Sequence, residues 1–528
     1  MFRSHAHLTY AAIEPYILAQ SGGAQALGVA DFQYDASAGR YFTPASLASG
    51  GTTTSWTSKF TSGTIVPTNG FPNGSTNYGG GAYSLPNFYY VGTNAQNPVV
   101  ANFTASIAVG TASTFTGTVA QVAGNAAKGT LTVTSAPSNG GVALGYLITG
   151  GTLPTGTFIF ENVSGTANTT GVWTVTVPQG TTIPTNASSV TYTCTPITMT
   201  VSAVASGMIN VGGMVYKSSG GPAANTFVTR QLTGSNGSTG TYLVNISQTY
   251  TSTSALTQFM PFVGFNSGDA FRVPMVGGDR VISGYTVLIA YKWGTAAGHV
   301  SMMGSTHGNG GDFSWGNNAG TREYNVAGAT ATGGAVSATG WHVLALRFDG
   351  TQTGNSNRFK AWIDGTLDSL TFTGTVGSTT TAPANITITA TGGSLTSGTF
   401  TATYATTGSP AWQAGDTITL GSAWSAGTGT AVLANQTFTV TACTNTSVSF
   451  ALAGTVGTVT VGTIVGTPIP NLMVAGKAPI ASATKNTNPV TATQGINIGE
   501  LMVYSSPLSD TSISALTTYL KNKWLGTN

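Results

Sequence analysis

The sequence predicts an all-β protein built of several sandwich modules and closed by one C-terminal helix. Three observations predict it. Short alternating runs rich in Thr, Val and Ile recur between clusters of Gly, Asn and Ser, as in Gly129-Thr-Leu-Thr-Val-Thr-Ser135, Val172-Trp-Thr-Val-Thr-Val177 and Gly240-Thr-Tyr-Leu-Val-Asn-Ile-Ser247. The 528 residues carry 72 Gly and only 6% charged residues, yet are 41% hydrophobic, which is enough to build cores and unlike the composition of a disordered chain. Only the last segment has a helical period together with caps.

Taken in order, Met1 to Gln20 opens with Arg3, His5 and His7, but Glu14 and Pro15 interrupt its apolar stretch. That makes a poor secretory signal, so residues 1–30 are expected to form an anchor segment of a protein assembled in the cytoplasm. Between 100 and 255 the only charges are Lys128, Glu161, Lys217 and Arg230, and the strand pattern there repeats. Leu131-Thr-Val-Thr-Ser, Gly145-Tyr-Leu-Ile-Thr-Gly-Gly and Gly171-Val-Trp-Thr-Val are followed, about 70 residues later, by Met199-Thr-Val-Ser, Val211-Gly-Gly-Met-Val-Tyr and Gly240-Thr-Tyr-Leu-Val. Two small sandwiches in tandem explain this. A third unit of the same texture runs from Ile386-Thr-Ile-Thr to Ser447-Val-Ser-Phe-Ala, with Asp416 its single charge.

Residues 257–375 differ, with seven Lys/Arg and seven Asp/Glu. Tyr285 to Trp293 and Trp341 to Phe348 alternate as strands with one buried face, and turns at Asp349-Gly350 and Asp364-Gly365 bracket Arg358-Phe-Lys-Ala-Trp-Ile363 in a meander. The last strand, Gly495 to Tyr504, leads through Pro507 into the helix. Ser509 caps it, Ile513, Leu516 and Leu520 form its apolar stripe, Lys521 and Lys523 suit its C-terminal dipole and are expected to face solvent, and Gly526 ends it.

Composition also excludes functions. A net charge of +3 on so long a chain gives no field to hold nucleic acid, and no apolar run is long enough to span a bilayer. Cys194 and Cys443 are far apart and form no zinc motif, so two unpaired, half-buried thiols are expected.

The order Phe265-Asn-Ser-Gly-Asp-Ala-Phe-Arg-Val-Pro274, Tyr285 to Trp293, Trp341 to Gly350, Arg358 to Gly365 and then Ile496 to Gly526 resembles the laminin-G-like, concanavalin-type jelly roll of phage and bacterial surface proteins. Tyr34-Asp-Ala-Ser37 and Thr54-Ser-Trp-Thr-Ser-Lys59 resemble that family's opening segment, without two of its Asp residues. The repeated units resemble the Ig-like modules of tailed-phage virion proteins. These resemblances imply a jelly-roll sandwich with inserted small Ig-like β-sandwich modules. Its parts are an anchor (1–30), the first part of the jelly roll (31–100), two tandem Ig-like modules (101–255), the central jelly roll (256–375), a third module (376–465) and the closing strands and helix (466–528). Sandwich loops tolerate such insertions at little entropic cost.

Concanavalin-type sandwiches include glycoside hydrolases, which need two carboxylates facing one bond. Glu323 and Glu500 are the only Glu in the jelly-roll regions and form no paired motif, so no catalysis and no catalytic residue is expected. Asp312, Asp349, Asp364 and Asp368 are the carboxylates available to a calcium site. Asp349 and Asp364 each precede Gly at a turn, which accounts for them, and neither a metal nor a cofactor is expected. His299 and His307 flank Met302-Met303-Gly304 and are expected to be solvent-facing loop residues. Aromatic faces stack on sugar rings. Trp293, Trp341 and Trp362 fall in strands and are expected in the core, which leaves Trp315, expected on a loop, as the candidate glycan contact. The sequence therefore points to a non-enzymatic bacteriophage virion surface protein, a tail fibre or capsid decoration. Its expected partners are other virion proteins, further copies of itself and host-surface glycan, without nucleic acid or membrane insertion. The alternative is a bacterial surface adhesin or lectin.

Overall fold

A computed structural model describes residues 97–526 apart from gaps, the longer of them at 274–282, 306–312, 406–411 and 475–494, and the backbone of six short strands before residue 97. The anchor segment 1–30, His307 and Asp312 lie outside the described residues.

The platform is a sandwich of a nine-stranded and a ten-stranded sheet. Strands from widely separated parts of the chain build each sheet. Gly284–Trp293 lies at the centre of the first, between His342–Asp349 and Ile496–Tyr504, and Phe32–Asp35, Asn87–Tyr89 and Phe262–Phe265 belong to the same sheet. The second sheet runs from short strands before residue 70 through His299–Ser305, Phe313–Asn318, Thr321–Val326 and Ala329–Ala335 to Thr371–Thr373.

The central strand departs from the expected single buried face. All but Lys292 of its residues are buried, because the helix Asp510–Trp524 packs over the other side of the sheet. Thr286 is drawn into that seam, where its hydroxyl donates to Ser506 O at 3.0 Å and accepts from Leu508 N at 2.8 Å. Ser509 caps the helix by accepting from Ser512 N at 3.1 Å, and Gly526 follows it with φ +64°. The stripe docks as its spacing requires, with Ile513, Leu516 and Leu520 all buried.

Three further β units lie between the platform's strands in the sequence. Two are closed six-stranded barrels, at 113–195 and 386–467. Numbering the strands of each in chain order, both have the cyclic order 1-2-5-4-3-6. The sheet at 99–259 has seven strands; with the short Tyr250–Thr251 set aside it follows the same order, and the isolated bridge Met214↔Phe227 ties its third strand to the residue that precedes its fourth. An Ig-type sandwich likewise pairs A-B-E-D on one sheet and C-F on the other. Here the two sheets also meet at both edges, so a barrel leaves no open edge for stray pairing.

The first two barrels are nested and not in tandem. Val99–Val109 pairs along its length with Ile197–Gly207, from Ile197↔Val109 to Gly207↔Ala101, and the whole barrel 113–195 is threaded between these two strands. The sequence repeat hid this. Its matching motifs start at the second strand of each unit, so the separated first strand carried no signal. We call 113–195 the distal barrel and 99–259 the proximal barrel.

Candidate functional site

Most ion pairs of the described residues lie on the platform, where three clusters stand apart from the more exposed Asp510 with Arg347 and Lys360, while Lys128–Glu161 lies on the distal barrel. The first lies under the C-terminal helix. Glu500 stands in the apolar strand Ile496–Tyr504 and is fully buried. Its Oε2 lies 2.9 Å from Lys523 Nζ and accepts from Trp524 Nε1 at 3.0 Å, and the Tyr519 hydroxyl donates to Oε1 at 3.3 Å. Trp524 reaches this position because Gly499 has no side chain: a Cβ there would sit 2.5 Å from the indole ring. The expectation that Lys523 faces solvent is therefore corrected. One helical turn separates Tyr519 from Lys523, so both point at the buried carboxylate. Lys521, by contrast, donates to Asp364 O at 3.2 Å.

The second place is the rim of the ten-stranded sheet. Arg322 clasps Asp368 bidentately, Nε to Oδ2 at 2.8 Å and Nη2 to Oδ1 at 2.7 Å, and Tyr324 donates to the same carboxylate at 3.2 Å. Burial alone would raise the Asp368 pKa, but the Arg322 guanidinium holds it below the usual carboxylate value. Tyr324 is pushed well above the ordinary phenol value by its burial.

The third is the Asp364-Gly365 turn. Asp364 adopts φ +53°, and its carboxylate accepts from Val343 N and bonds His342 Nδ1, both at 2.7 Å. His342 Nε2 lies 3.0 Å from Thr339 O. The hydrogen bond to Asp364 raises the His342 pKa above its ordinary 6.5 despite partial burial.

The remaining sequence candidates fall as follows. Trp315 is not on a loop. It lies within the strand Phe313–Asn318, paired with Tyr324, and is 3% exposed in the sandwich core. The strand starts at Phe313, and in its sequence Phe313 and Trp315 alternate with Ser314 and Gly316, a period of two that the Gly-rich surroundings masked. Its ring is thus unavailable for surface stacking. His299 is likewise in a strand, His299–Ser305, and not a loop. Trp293 and Trp362 are buried in the same core, and Trp341, just ahead of its strand, stacks on Trp524 with centroids 5.9 Å apart. Glu323 accepts from the Asn318 and Asn325 side chains. Asp349 organises its turn by accepting from Thr351 Oγ1 at 2.6 Å and Gln352 Nε2 at 3.1 Å. Cys194 and Cys443 are free thiols, fully and not half buried, and burial pushes the Cys194 pKa up to about 12. Among the described residues no three His, Cys, Asp or Glu side chains gather as metal ligands would.

These groups are donors and acceptors closed on one another. Their chemistry is that of fixed ion pairs, which orient strands and the helix. Sequence reasoning missed the Glu500–Lys523 and Arg322–Asp368 pairs. The signal for the first was a lone carboxylate inside an apolar strand.

No family model matches the chain. No curated protein matches it. Among solved structures, the chain is similar to a binding domain of botulinum neurotoxin serotype D/C, with TM-score 0.21 and 7% identity over 49% of this chain and 43% of that one. It is also similar to the serotype D ligand binding domain in complex with N-acetylneuraminic acid, with TM-score 0.19 and 8% identity over 58% and 45%. A third similarity is to the Ruminococcus gnavus IT-sialidase CBM40 bound to α2,3 sialyllactose, with TM-score 0.18 and 14% identity over 45% and 84%. The chain spans less than half the length of the neurotoxin chains it matches. Superpositions this loose carry no argument about function.

Proposed function

We propose that this chain is a non-enzymatic structural protein of a bacteriophage virion surface, with the platform embedded among other virion proteins and the barrels projecting. The observation that carries this reading is the recurrence of one strand order in two closed six-stranded barrels and, with one short strand more, in the sheet at 99–259. Repeated closed barrels extend a surface without exposing strand edges, which suits a part that must reach outward without aggregating. The sparse charge supports it too, since a surface so weakly protected against association suits a subunit packed in a symmetric assembly. The motif resemblances to phage surface proteins point the same way. Commitment of Glu500 to Lys523 and Trp524 supports a structural use of that carboxylate. Host-surface glycan is the proposed contact of the projecting parts, and Trp315 is not proposed as its site.

The test is quantitative mass spectrometry of density-purified particles from the source. Peptides of this chain at a stoichiometry matching a structural subunit are expected. Recovery in a bacterial envelope fraction, with none in particles, would overturn the proposal in favour of an adhesin.

A further inference from the structure

We infer that the C-terminal helix is a two-sided clamp which, besides closing the sandwich, holds the proximal barrel, with the distal barrel docked on it, as one rigid arm at a fixed angle to the platform. Modules within a chain move relative to one another unless the surface between them is large and apolar. Both junctions of this arm are apolar and are also pinned by hydrogen bonds.

At the platform, Val100, Met214, Phe227 and Met260 of the proximal barrel region belong to the same buried cluster as Leu520 and Trp524 of the helix. Asn210, 1% exposed, donates from Nδ2 to Asn522 O at 3.2 Å. Its backbone is fixed by Gln258, which accepts from Asn210 N at 2.7 Å and donates to Asn210 O at 2.8 Å. The chain then passes so close to the barrel that a Cβ on Gly526 would lie 2.3 Å from Val100 O.

Between the barrels, Leu147 of the distal barrel is buried in the core of the proximal one, among Phe103, Ile197 and Tyr242. Thr229 Oγ1 donates to Gly145 O at 3.0 Å, and Arg230 Nη1 to Leu144 O at 3.4 Å. A Cβ on Gly145 would meet Leu243 Cδ1 at 2.9 Å, so this approach also depends on glycine. Two strands enter the distal barrel side by side, tied by Gly110 N to Pro196 O at 2.9 Å, so the connection resists twisting more than a single linker does.

The inference is independent of where the protein works. It is tested on the full chain by electron–electron distance measurement between spin labels introduced as Thr155→Cys in the distal barrel and Ser356→Cys on the platform. Both positions are exposed, whereas native Cys194 and Cys443 are buried. A single narrow distance distribution is expected. It should broaden or split in Asn210→Ala, which loosens the platform junction, and in the Thr229→Val, Arg230→Ala double variant, which loosens the barrel junction. Circular dichroism checks that each variant is folded. Should Asn210→Ala not fold, the double variant carries the test. A broad distribution in the parent would overturn the inference, as would a narrow one that neither folded variant changes.

Discussion

Replacing Lys523 with Ala should destabilise the platform severely, although the residue lies in the last turn of a terminal helix, where a lysine is ordinarily exposed. The Lys523 side chain is 7% exposed and its partner Glu500 is fully buried, with 2.9 Å between Nζ and Oε2. Removing the ammonium strands a carboxylate in the core, and breaking a buried pair in this way costs about 3–5 kcal/mol. Tyr519 and Trp524 still donate to Glu500, so the lower end of that range is expected. The double variant Glu500→Gln, Lys523→Met removes both charges and should recover most of the loss, because a buried pair replaced by neutral groups of similar volume is often close to neutral. Urea titration of the parent, the single and the double variant, followed by tryptophan fluorescence, measures this. A loss under about 0.5 kcal/mol in Lys523→Ala, the value for a solvated lysine, would refute the reasoning.

Leu516→Ala should cost about 2–5 kcal/mol by the same titration, since the side chain is buried against the sheet. Trp315→Ala should act through stability, costing about 3–5 kcal/mol, while glycan-array binding by whatever remains folded is unchanged. The His342 pKa is raised by Asp364, so its contribution to stability is fully present below the unfolded value of 6.5 and is lost as pH rises through the higher folded value. Unfolding midpoints measured across that window should show the loss in the parent and not in His342→Gln. Deleting 111–195 and rejoining the strands with a Gly/Ser turn should leave a folded proximal barrel and platform, because Gly110 and Pro196 are already hydrogen-bonded neighbours. Loss of the cooperative transition in that variant would contradict the nested arrangement.

How much of this was legible depended on whether the signal was local. Ser509, Ile513, Leu516, Leu520 and Gly526 announce the helix through neighbours three and four apart, and the structure uses each as read. The all-β class was legible for the same reason, since strand alternation is a period of two. Nesting was not, because the pairing of Val99–Val109 with Ile197–Gly207 joins residues on opposite sides of a complete barrel. Lys523 was misread because helix-end chemistry favours a solvated lysine there, and only the tertiary position of Glu500 reverses that preference. Trp315 was misread because Gly-rich sequence on both sides of a short strand looks like a loop. The Arg322–Asp368 pair links a strand to the segment between two others through space and leaves no mark in sequence spacing.

The claim that this is a projecting subunit of a virion surface is tested most directly by a cryo-electron microscopy map of purified particles from the source. The account predicts symmetry-related copies of a two-sheet sandwich on the particle exterior, each carrying a nested pair of barrels at one constant angle. A particle map into which no such sandwich fits, from a preparation that lacks peptides of this chain, would contradict it.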